Sequence, residues 1–81
     1  MKEEGRLLIG INPVLEALRR GERRFEKIYI AKARGGPKTD ELVNLARERD
    51  VHIRFEQREI IDRICGSANH QGVAGVVSAK E

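Results

Sequence analysis

A chain of 81 residues makes one small domain, residues 1–81, with too modest a core for a deep, water-excluding pocket, so a surface that binds something larger is favoured over a free-standing enzyme. Sixteen Lys and Arg against thirteen Asp and Glu leave a formal charge of +3, and a pI near 9.4 hints at a nucleic-acid partner while the plentiful acids keep that hint weak. The single cysteine excludes an internal disulfide and a cysteine metal cluster, and with neither a membrane-length apolar run nor a signal-peptide core, a cytoplasmic protein is expected.

Leu7, Leu8 and Ile9 form a short apolar run suited to a strand covered on both faces. A helix follows, with Asn12 as N-cap, Pro13 in its first turn, Val14, Leu15 and Leu18 facing inward, and Gly21 as its stop. Arg19, Arg20, Arg23 and Arg24 cluster at its end, where cations complement the helix dipole.

Phe25–Ala31 reads as a second strand, Ile28 and Ile30 on one face and Lys27 and Tyr29 on the other. Lys32 to Lys38 is a basic loop whose Gly-Gly-Pro disfavours both helix and strand, and its glycine spacing fits no Walker-type or dinucleotide motif. Thr39 is placed as the cap of the second helix, with Leu42, Val43, Leu45 and Ala46 as its inner stripe. Val51, Ile53 and Phe55 alternate with His52 and Arg54 in a third strand, which leaves His52 an ordinary surface residue. Gln57–Ile64 is a short third helix with Ile60, Ile61 and Ile64 inward and Gly66 as its stop, and Cys65 at its end reads as a small hydrophobe rather than a nucleophile.

The segment from Ala68 to Val77 carries the strongest functional signal. Asn69, His70 and Gln71 offer donors and acceptors in several geometries, Gly72 opens backbone angles closed to other residues, and Val73 to Val77 continue as a buried strand approached closely at Ala74 and Gly75. The order strand, helix, strand, helix, strand, helix, strand argues for helices covering a largely parallel sheet. In such a sheet, ligands meet the loops leaving the carboxyl ends of the strands. The stretch from Gly66 to Gly72 can carry the chain about 20 Å back along the sheet, which allows an antiparallel last strand. Asn12, Lys32, Arg34, Lys38, Asn69, His70, Gln71 and Gly72 are then expected to share one polar, positive rim.

Gly10-Ile-Asn-Pro-Val14 with Ala17-Leu18, then Lys27-Ile-Tyr-Ile30, then Asn69-His-Gln-Gly-Val73, resemble the amino-terminal substrate-binding domain of SpoU-type RNA ribose methyltransferases, over nearly the whole chain. The His70-Gln71-Gly72 triplet is the most specific mark, and the likeness is greatest to the branch that methylates a guanosine 2′-hydroxyl in bacterial large-subunit ribosomal RNA. The resemblance implies an L30e-like α/β/α sandwich with a small mixed four-stranded sheet, and a role in holding ribosomal RNA for a neighbouring knotted catalytic domain. That domain would bind S-adenosylmethionine and form the homodimer. The present chain would bind no cofactor, catalyse no methyl transfer and be monomeric, as a cut fragment or an isolated domain. Relatives of the fold that bind kink-turn RNA carry Gly-x-Asn-Glu and a lysine one turn on; here Pro13 stands at the glutamate position and Glu16 at the lysine position, so kink-turn recognition is not expected.

RNA binding would use Lys and Arg against phosphates and loop amides against unpaired bases or 2′-hydroxyls. Of the three aromatics, Phe25 and Phe55 read as buried, which leaves no stacking platform, although Arg34 is able to stack in its place. A second reading is a protein-interaction module that docks on the catalytic domain or on ribosomal proteins. A small independent enzyme is disfavoured because His52, His70 and Cys65 are scattered.

Overall fold

In the computed structural model, which describes residues 6–21, 25–66 and 71–78, the elements run β1 (Arg6–Ile9), α1 (Ile11–Arg19), β2 (Phe25–Ala31), α2 (Pro37–Glu48), β3 (Ile53–Glu56), α3 (Arg58–Cys65) and β4 (Val73–Val77). The sheet order is β1-β4-β2-β3. β4 pairs antiparallel with both β1 and β2, whereas β2 and β3 are parallel. The sheet is therefore mixed, as an antiparallel last strand implies, and not the largely parallel one that strand–helix alternation suggested: β4 lies between β1 and β2, and of the three pairings only β2–β3 is parallel.

Side-chain alternation along the strands sorts the core into two layers. Ile28, Ile30 and Val73 pack with Val14, Leu15 and Leu18 of α1 and Leu42 and Ala46 of α2 on one face. Ala31 and Ala74, flanked by Leu7 and Tyr29, pack with Ile61 of α3 on the other. The result is an α/β/α sandwich with two helices over one face and a short one over the other. Each fully buried Leu, Ile or Val in the larger layer contributes roughly 1.5–3 kcal/mol, so that layer holds most of the stability.

Local rules explain most element boundaries. Gly21 (φ 85°) and Gly66 (φ 76°) close α1 and α3 in left-handed geometry, as expected of glycine past a helix end. Both helix N-caps differ from the sequence reading. Gly10 (φ 100°, ψ 157°), not Asn12, precedes α1, and Gly36 (φ 114°, ψ 172°), not Thr39, precedes α2. Those angles are closed to residues with a Cβ, so the glycines position the helix starts by backbone freedom, and no side chain caps either one. Pro37 then supplies the first helical residue, where a missing N–H costs nothing. Pro37 and Lys38 thus belong to α2 and not to the loop.

β3 starts at Ile53 rather than Val51 and sits at the sheet edge. Its Phe55 is 52% exposed, which corrects the expectation that both phenylalanines are buried. Alternation places Phe55 on the face of α1 and α2, but on the outer strand it stays half open to solvent. Phe25 behaves differently. It is half-buried, and its ring lies against Gly75 in β4, where an added Cβ would come within 2.8 Å of Phe25 Cε1 and 3.2 Å of a Val14 methyl. The close approach expected at Gly75 is present, and its cause is these two side chains. Gly75→Ala should therefore lower stability by about 1–3 kcal/mol through overpacking against the fully buried Val14, read from the urea midpoint at unchanged m-value.

Candidate nucleic-acid interface

Because β1, β2 and β3 run in one direction and β4 in the other, the chain leaves three strands and enters the fourth at a single edge. Gly10 to Asn12, Lys32 to Gly36, Gln57 to Glu59 and Gln71 to Gly72 all stand there. Their contacts are direct. Lys38 Nζ donates to Asn12 Oδ1 at 2.9 Å, joining the start of α2 to the start of α1. Arg34 Nη1 donates to the carbonyl of Gln71 at 3.0 Å, and Arg34 Nε donates to Thr39 Oγ1 at 3.1 Å. A Cβ placed on Gly10 would stand 3.5 Å from Gln71 Oε1, so the Gln71 side chain lies over the β1–α1 turn.

Two consecutive residues at the entry to β4 have positive φ, Gln71 at 55° and Gly72 at 76°. For Gly72 this costs little, and its lack of a side chain is required because a Cβ would come 3.2 Å from Ala31 Cβ and 3.5 Å from Arg34 Cδ. For Gln71 the left-handed conformation costs roughly 1–2 kcal/mol, and surrounding bonds must offset it. The amide of Ala31 donates to Gly72 O at 2.8 Å, and the amide of Gly10 donates to Val73 O at 2.9 Å. The loop entering β4 is thus bound on both sides.

Beside this knot lies a half-open cleft of about 460 Å³, between the Ala31–Gly35 stretch, the first residues of α3 and Gln71–Gly72. Lys32, Arg34 and Arg58 line it, against the single acid Glu59, so its field is positive. Gln57 and Arg58 are absent from the rim expected from sequence. The signal for them existed: a third parallel strand must also deliver its following loop to the same edge.

Of the expected site residues, Asn12, Lys32, Arg34, Lys38, Gln71 and Gly72 lie together at this edge. Asn69 and His70 fall outside the described residues. Elsewhere, His52 is exposed, and Arg19 stands in the last turn of α1 as expected, where it also pairs with Glu41 at 2.6 Å. Among the described residues no group of three or more His, Cys, Asp and Glu forms a metal site, and no helix is long and apolar enough to cross a membrane.

Three comparisons define the class of protein. The family profile for RNA 2′-O ribose methyltransferase substrate binding matches residues 7–81, and the chain belongs to that family. Among its relatives, the human mitochondrial rRNA methyltransferase 1 is 32% identical over 74 residues, covering 89% of this chain and 21% of that protein. The 23S rRNA (guanosine-2′-O-)-methyltransferase RlmB of Xanthomonas campestris pv. campestris is 23% identical over 79 residues, covering 98% of this chain and 32% of its own length. The chain thus spans a third or less of these relatives. A solved structure from Bacillus halodurans C, of a protein with unknown function, superposes with a TM-score of 0.71 at 20% identity over 90% of this chain and 72% of that one, which supports the fold alone.

Cys65 takes no part in the edge. It is half-buried against the α3 layer, and burial, with the Asp62 carboxylate adding to it, pushes its thiol pKa up. Less thiolate is then present at a given pH than on an unfolded chain. Alkylation of Cys65 at pH 8 should be slower than that of free cysteine and should accelerate when urea unfolds the protein; equal rates in both states would contradict the assignment.

Proposed function

We propose that this domain grips ribosomal RNA with the strand-end edge and presents a guanosine ribose of 23S rRNA to a methyltransferase domain joined to it in the complete protein. Family membership supports the RNA substrate, and the names of the relatives support the ribosomal one. The observation that carries the reading is the convergence of four chain segments into one positive edge, with Lys38 held on Asn12 and Arg34 on Gln71.

In this reading Lys32, Lys38 and Arg58 offset phosphate charge, while Asn12, Gln71 and the Gly72 backbone address bases or 2′-hydroxyls of unpaired RNA. The same reading counts Asn69 and His70, which precede Gln71 in the sequence, among the residues that address RNA. Phe55, exposed one residue before the end of β3, adds a ring on which a base can stack. Tethering to a catalytic domain compensates for the modest affinity of so small a basic surface by raising the effective concentration of RNA.

The methyl donor belongs to the catalytic domain. S-adenosylmethionine carries a net positive charge, and the cleft here is lined by three cations and one acid, so these residues do not fit it. The domain contributes placement of the RNA, and the chemistry occurs elsewhere.

A competing protein-docking reading draws on the exposed Ile9 on edge strand β1. Salt separates the two. Binding of a 23S rRNA hairpin should weaken steeply as salt rises, and Lys38→Ala or Arg58→Ala should each reduce the slope of log K against log salt by about 0.7–0.9. A flat salt response would exclude the RNA reading and leave docking to protein in its place, and amide shifts on RNA titration that avoid Asn12, Lys32 and Gly72 would exclude this edge as the RNA site.

A further inference from the structure

We infer that Arg34 is a positioning residue: its guanidinium latches the segment entering β4 to the β2–α2 connection, and it supports RNA binding through that segment rather than by neutralising a phosphate. Its fork is already engaged. Nε is donated to Thr39 Oγ1 at 3.1 Å and Nη1 to Gln71 O at 3.0 Å, while the aliphatic stem passes under Gly72, whose hypothetical Cβ would stand 3.5 Å from Arg34 Cδ.

Each element of the latch has a physical reason. Thr39 is 5% exposed, and its hydroxyl lies in the first turn of α2, so it is a fixed acceptor and not a surface group. Its own donor direction is toward Gly35 O at 3.5 Å, which leaves the oxygen lone pairs for Arg34. At the other end, the bond falls on the carbonyl of Gln71, the non-glycine residue held at φ 55°. A bond to that carbonyl favours the orientation its left-handed backbone requires. Arg34 thereby acts on the conformation that also lays Gln71 over Gly10. Lysine cannot replace it. An ammonium on a flexible stem reaches one of two partners on opposite sides, whereas the planar fork reaches both.

The affinity arm of the test rests on the RNA reading, while the exchange arm does not. Three variants of the folded chain are compared: Arg34→Lys, which keeps charge and loses the fork; Arg34→Met, which loses both; and Thr39→Val, which removes the acceptor with no change of charge. Amide exchange is followed at Ala31 and Gly10, whose N–H groups are bonded to Gly72 O and Val73 O, with Ile28 as a reference for global folding. A latch predicts faster exchange at Ala31 and Gly10 by about tenfold in all three variants, with Ile28 unchanged. It also predicts that all three lose hairpin affinity by a similar factor and keep the salt slope of the parent.

A wild-type-like Arg34→Lys, together with a slope reduced by one phosphate in Arg34→Met, would overturn the inference and make Arg34 a direct phosphate ligand. Unaltered exchange at Ala31 and Gly10 would overturn it also. Absence of any hairpin binding by the parent chain would count against the RNA reading and leave the latch to be decided by exchange alone. Should Arg34→Met fail to fold, Thr39→Val, a near-isosteric change, decides the question.

Discussion

The insertion of β4 between β1 and β2 is the constraint from which the site follows. A sheet with all four strands parallel would start its last strand at the amino-terminal edge, away from the loops that follow β1, β2 and β3. Reversing one strand brings its entry to the opposite edge and makes that entry the fourth wall of the site. The reversal is feasible because α3, at eight residues, covers only about 12 Å, so a short connection from Gly66 to Gln71 suffices to return the chain. The same insertion demands a narrow strand. Gly75 sits where Phe25 and Val14 close in, and Ala74 is fully buried beneath α3, so β4 has small residues at its middle and valines at its ends.

Much of this was legible in the residues. Alternation in β2, the 3.6-residue stripe of α1 and the glycines at positions 21 and 66 are short-range signals, and the structure obeys them because each depends on neighbours within one turn or one strand. The failures have two origins, a helix start set by glycine backbone angles and long-range geometry. Thr39 has the composition of an N-cap and follows a Gly-Gly-Pro stretch, yet Gly36 and Pro37 start the helix earlier and release its hydroxyl for Arg34. Phe55 alternates correctly and remains exposed, since periodicity assigns a face but does not say whether the outer strand's face is covered. Gln57 and Arg58 join the cleft only once β3 is known to run parallel to β2.

The family assignment and the geometry answer different questions. Family membership identifies a substrate-binding domain of RNA 2′-O ribose methyltransferases, and the ribosomal part of the proposal rests on relatives of 23–32% identity. Neither says which edge meets RNA. The proposal of the strand-end edge rests on the direction of the strands and on the bonds that fasten one connection to another, since a surface that holds a flexible polymer is more effective when its own donors are fixed before contact. The Arg34–Gln71 and Lys38–Asn12 bonds are fastenings of this kind.

Charge distribution supports the same edge more firmly than net charge does. The overall excess is only +3, too small to steer a polyanion if spread evenly. Ion pairing removes part of the positive charge away from the edge: Arg19 is neutralised by Glu41 and Arg54 by Glu56. Both pairs are partly exposed and contribute at most about 1 kcal/mol to stability, so their consequence is electrostatic rather than structural. Lys38 instead spends its contact on a neutral amide and retains its field, and among the described residues Lys32 and Arg58 form no ion pair. Arg20, Lys27, Arg47, Arg49 and Arg63 also lie outside these two pairs, so it is the local excess of Lys32, Arg34 and Arg58 over Glu59 that makes the cleft positive.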